Sequence, residues 1–199
     1  MAEPIDRRAL AALAGGAVLA GVASAAAADD PKPSGGPVET PFTRDYEAPK
    51  FKPSWKNPQI NRQMVQDFVI FAHSDLDATK KLLAKEPALL NAAMDWGQGD
   101  WETALGGASH MGRRDIALML IEAGARVDLF AAAMLGQLEV VKSLLTLQPK
   151  LIDAKGPHGF SLYVHAQAGA KEAEAVLAYL QTLKKVELKP LPFLAPKKK

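Results

Sequence analysis

An all-α array of about four short helix–turn–helix units is what this sequence predicts, and three observations carry the prediction. Alanine and leucine are plentiful while aromatics make up only 7% of the 199 residues, a balance that favours helices over sheets. Residues 80–92 align without gaps with residues 142–154, each a Lys-x-Leu-Leu helix followed by a proline and an apolar pair. Units counted from the residue that opens each second helix begin at Ser74, Gly112, Gly136 and Gly169, spacings of 38, 24 and 33 residues. A period near 33 residues built from two short helices is the pattern of a helical solenoid.

Composition narrows the function classes. With 48% apolar residues the chain can bury a core, and 24 Lys+Arg against 22 Asp+Glu leave a net charge of +2, too little to drive nucleic-acid binding. There is no cysteine, which excludes disulfides, thiol nucleophiles, Cys-ligated zinc and a lipoprotein anchor.

The first 28 residues read as a targeting segment. Arg7 and Arg8 precede an uncharged Ala/Gly/Leu/Val stretch, residues 9–28, that ends in four alanines before Asp29. The pair followed by Ala9-Leu10 resembles a twin-arginine signal, with Asp6 where Ser or Thr is usual. The expected location is periplasmic or secreted, with no membrane contact after cleavage; an uncleaved anchor is the alternative. Residues 29–60 hold seven prolines and read as an extended linker, with Phe42, Tyr46, Phe51 and Trp55 as apolar anchors for its later part. Residues 61–185 carry the repeats, and residues 186–199 form a Pro/Lys-rich tail expected to be solvated.

Within the repeats, Ile116, Met119, Leu120 and Ala123 recur at helical spacing. Val140, Ser143, Leu144 and Leu147 repeat the stripe, widened by Val141 and Leu145. Thr103-Ala104-Leu105-Gly106-Gly107-Ala108-Ser109-His110-Met111-Gly112, then an apolar helix ending Ala123-Gly124-Ala125, resembles an ankyrin repeat. Residues 131–145 resemble a second copy, and the terminal repeats are degenerate. Ala104 and Gly106 depart from the family's proline and histidine, and the 24-residue spacing leaves no room for the β-hairpin finger before the third repeat. The resemblance implies an ankyrin-repeat solenoid that binds a protein partner on its concave face, without cofactor or catalysis.

Candidate contact residues are Trp96, Asp100, Trp101, His110, Met134, His158 and His165. The first three lie in the glycine-punctuated loop of residues 95–102, where large aromatics can anchor a partner or fold back, Trp101 being the one expected to be buried. His165 is expected to pack on the preceding unit, and His158 to sit in a turn. A rival reading makes His110, His158 and His165, with Glu102, a metal-binding or enzymatic group, although none has a tight ligand spacing. Another makes the chain a membrane-tethered structural envelope protein. Gly97-Gln98-Gly99 lacks the context of a dinucleotide loop, and residues 159–163 lack the last glycine of a nucleophile elbow. Basic pairs such as Arg113-Arg114 read as solvated faces, not a nucleic-acid surface.

Overall fold

The computed structural model describes residues 39–194, Lys52 and Trp55 excepted. The proposed signal, with Arg7 and Arg8, lies outside the described residues, as do Trp55 and residues 195–199. The chain divides into two units, Met1–Thr40 and Pro41–Lys199. Only Glu39 and Thr40 of the first are described, and neither is in a helix or strand.

The second unit is mostly helical, in four consecutive helix pairs: α1 (Arg62–Ala72) with α2 (Leu76–Lys85), α3 (Ala104–His110) with α4 (Arg114–Glu122), α5 (Leu129–Met134) with α6 (Leu138–Leu147), and α7 (Leu162–Ala168) with α8 (Glu174–Leu183). Between the first two pairs stands a hairpin of β1 (Ala93–Asp95) and β2 (Trp101–Thr103), antiparallel with Met94 opposite Glu102. No strand lies between α4 and α5. No helix of the described residues is long and apolar enough to cross a membrane.

Local chemistry sets these boundaries. The side chains of Asn61, Asp75, Thr103 and Asp128 each accept a backbone N–H in the first turn of α1, α2, α3 and α5, satisfying donors that a helix start leaves free. Pro87 and Pro149 open short 3₁₀ turns after α2 and α6, because proline cannot continue an α-helix. Gly112 stands in the turn between α3 and α4 at φ +62°, and a Cβ there would stand 2.6 Å from the Ala168 carbonyl oxygen.

The first helices α1, α3, α5 and α7 pack on one another in chain order, while α2 touches α4 and α6 touches α8. Two apolar clusters result. One joins Phe68, Leu89, Leu105, Ile116, Leu120 and Met134, and the other joins Leu129, Val141, Leu145, Leu162, Val176 and Leu180. Helix α5 belongs to both, giving Ala131 and Met134 to the first and Ala132 and Ala133 to the second. Its methyl-sized side chains let α3 and α7 come close on either side.

Several expectations need correction. Phe42, Tyr46 and Phe51 are exposed and do not anchor the Pro-rich segment. The tail is bound as far as residue 194: the Gln167 amide donates to the Lys189 carbonyl, Gln181 brackets Val186, and Phe193 stacks on Phe160 at 5.3 Å. In α6, Val141 and Leu145 are buried while Val140 and Leu147 face solvent, so the apolar face is turned by one residue from the expected stripe. Ala123 is likewise exposed, at the end of its stripe.

Ala132→Leu is expected to lower stability by about 1–3 kcal/mol, because added methylenes in this doubly packed helix have nowhere to go. Leu118→Ala, on the exposed face of α4, is expected to stay within about 0.5 kcal/mol of the parent. Urea denaturation of the two variants checks this, and equal effects would contradict it.

Candidate functional site

The hairpin tip is a tight loop. Asp95 Oδ1 accepts the backbone N–H groups of Gly97 (2.8 Å) and Gly99 (3.1 Å), and Gly97, Gln98 and Gly99 all have positive φ. This fixes the pleat of β2, whose side chains alternate between faces. Glu102 points inward at 1% exposure, while Trp101 points outward at 62%. Trp101 is therefore the exposed indole, against expectation. Trp96 turns back over the inward face, and its Nε1–H donates to Glu102 Oε2 at 2.7 Å.

Three imidazoles converge on the same carboxylate. His73, the C-cap of α1, places Nε2 3.3 Å from Glu102 Oε2. His110, the last residue of α3, places Nδ1 3.1 Å from Oε1. His158, in the turn before α7, places Nε2 3.5 Å from Oε2. These four ligand-type atoms all lie within 4.8 Å of one another. The His110 contact is an ion-pair approach and not a hydrogen bond, and Glu102 Oε1 and His110 Nδ1 are both buried with no hydrogen-bond partner.

Each ring is oriented from behind. A carbonyl can only accept, so His73 Nδ1 carries the proton that it donates to the Val69 oxygen (2.9 Å). His158 is clamped twice by Asp100, which accepts its backbone N–H and its Nδ1–H, both at 2.9 Å. That clamp holds His158 at φ +58°, a left-handed conformation uncommon for a residue with a side chain. Helix α3 contributes by what it lacks: a Cβ on Gly107 would stand 2.7 Å from His73 Cε1, so the ring lies flat against the helix backbone. Trp96 stands edge-on to His73 and His158, and Phe160 covers His110 at 5.3 Å.

The electrostatics follow. Burial alone would raise the Glu102 carboxyl, but the His110 and His73 rings outweigh it and hold the group at about 2. Burial likewise opposes protonation of His73, yet Glu102 and the Val69 carbonyl raise it above its ordinary value. His165, fully buried beyond His110, is pushed down to about 4 by desolvation; Ser161 O accepts from its Nδ1, and its Nε2 has no hydrogen-bond partner.

The structure thus gathers Trp96, Asp100, His110 and His158 into one site and sets His165 beside it, against Phe130 of the preceding unit. Corrections are needed elsewhere. Met134 is in the apolar core, and His110 and His165 are buried, so none of these three presents a side chain to a partner. His73 was not anticipated. Its signal is positional: it stands two residues before the N-cap of α2, where His110 stands three before that of α4.

No protein-family model matches this sequence, and no curated protein matches it either.

A pH prediction follows from His165. Its folded-state value of about 4 lies below the unfolded 6.5, so between these values the unfolded chain binds more protons. Stability is therefore untouched above pH 6.5 and falls as the pH drops toward 4, by on the order of 3 kcal/mol in full. Asn at this position can keep the bond to Ser161 but does not titrate. His165→Asn is expected to flatten the pH dependence of urea denaturation between pH 6.5 and 4.5, a window in which Glu102 stays ionised. An unchanged slope would contradict it.

Proposed function

We propose that this chain is an exported, noncatalytic protein-interaction domain of the ankyrin-repeat type, working in the periplasm. Support for the repeat assignment comes from the four helix pairs, the stacked first helices, and the left-handed glycines, Gly112 and Gly136 in the turns inside two pairs and Gly124 just after α4. One observation carries the interaction reading. A cavity of about 290 Å³ opens between the hairpin and the loop before α7, where no hairpin precedes α5. Trp101, Phe130 and Pro157 give it apolar walls, and Asp100, Asp128 and Lys155 supply charge. It has the size and mixed lining to hold one bulky side chain of a partner, beside an indole exposed as interface anchors are.

A photo-crosslinking residue at position 101, in cells producing the full chain, is expected to capture a discrete partner. The same probe at Leu118, on the exposed face of α4, is expected to capture none. Equal capture at both positions, or none at 101, would overturn this assignment of the surface.

Export is tested separately. Arg7→Lys with Arg8→Lys keeps the positive charge that the general export route reads but removes the arginine pair. The expected outcome is a folded precursor retained in the cytoplasm, seen by fractionation and intact mass. Undiminished export would rule out the twin-arginine route.

A further inference from the structure

We propose that His73, Glu102, His110 and His158 form a four-coordinate site for a borderline divalent cation of the zinc type, one that locks the hairpin to the first and last repeats. The proposal is independent of any protein partner.

The hydrogen bonds behind the rings are the first argument. His73 spends its Nδ1–H on Val69 and His158 spends its Nδ1–H on Asp100, so the nitrogen that each ring turns toward Glu102 is Nε2. Positive charge must lie between these nitrogens and the carboxylate, either as a proton on the ring or as a cation that takes the proton's place. One divalent cation answers all three nitrogens and the carboxylate together. Imidazoles held from behind by a carbonyl and by a carboxylate are also how metal-ligating histidines are oriented.

Distance is the second. Ligands held about 2.0–2.1 Å from a tetrahedral ion stand roughly 3.3–3.4 Å apart. His73 and His158 stand 3.3 and 3.5 Å from Glu102 Oε2, and His110 stands 3.1 Å from Oε1. One donor atom from each of the four residues lies within 4.8 Å of the others, a cluster that closes to a tetrahedral edge by small side-chain shifts. The third is the pair of buried atoms, Glu102 Oε1 and His110 Nδ1, that face each other without forming a hydrogen bond. A buried polar atom without a partner costs about 1–3 kcal/mol, and coordination removes that cost for both.

The donor set selects the ion. Three imidazoles and one carboxylate suit zinc and its neighbours, are too rich in nitrogen for calcium or magnesium, and lack the sulfur that copper(I) prefers. Four protein ligands under the Trp96 indole describe a closed structural site, in keeping with a domain that does no chemistry. The ligands come from four separate elements, so the ion ties the end of α1, strand β2, the end of α3 and the turn before α7.

The test uses the full chain, purified without a histidine tag, stripped with chelator and titrated with zinc alone and with cobalt(II) alone. One zinc per chain retained through gel filtration, a rise in Tm, and cobalt bands of a four-coordinate nitrogen/oxygen site are expected. His158→Ala, which alters a half-exposed turn, is expected to lose the retained zinc while keeping its far-UV circular dichroism. Asp100→Asn is expected to bind about 10–100-fold more weakly, and His165→Asn to bind as the parent does. Failure of the parent to retain one equivalent, or retention undiminished in both His158→Ala and Asp100→Asn, would overturn the site.

Discussion

A carboxylate taken out of water costs several kcal/mol unless its charge is met nearby. Glu102 is such a group, held in the hairpin strand between an indole N–H and three imidazoles. The surrounding structure can be read as the conditions that its burial imposes. Trp96 must fold back to donate its hydrogen bond, which needs the left-handed run through Gly97, Gln98 and Gly99. His73 must lie close to α3, which needs Gly107. His158 must arrive from a distant turn, which needs the double clamp of Asp100.

The uneven spacing of the helix pairs makes that last contact possible. Where the chain runs from α4 to α5, no strand stands between the hairpin and the loop before α7. Asp100 and His158, 58 residues apart, therefore meet directly. The short alanine-rich α5 serves the same end, since a thin helix keeps α3 and α7 close enough to touch. The irregularity that leaves the cavity beside Trp101 thus also brings the third imidazole to Glu102.

The helical scaffold was largely legible in the sequence, and the site was not. Helices α4 and α6 announce themselves through apolar periodicity, and Gly112 and Pro149 mark their neighbours' boundaries, because these signals are local. Which face of α6 is buried depends on where α5 and α8 lie, and the period alone left it one residue out. Glu102 and Trp101 are adjacent in a three-residue strand, too short for alternation to say which points inward. His73, His110 and His158 have no ligand spacing, since packing of separate elements brings them together. Only the shared place of His73 and His110 near the ends of first helices offered a hint.

Helix α3 shows how far scaffold and site depend on each other. Its seven residues include Gly106 and Gly107, each about 1 kcal/mol worse than alanine in a helix, and a helix this short does not persist alone. It forms because every one of its residues is buried among α1, α4, α5 and α7, with Thr103 capping its start. Yet the same glycines leave room for the His73 ring and the Glu102 side chain against its backbone. Filling them with methyl groups would improve helix propensity and crowd both side chains. The helix that packs against α1, α4, α5 and α7 is thus weak in itself for the same reason that the carboxylate beside it can be surrounded.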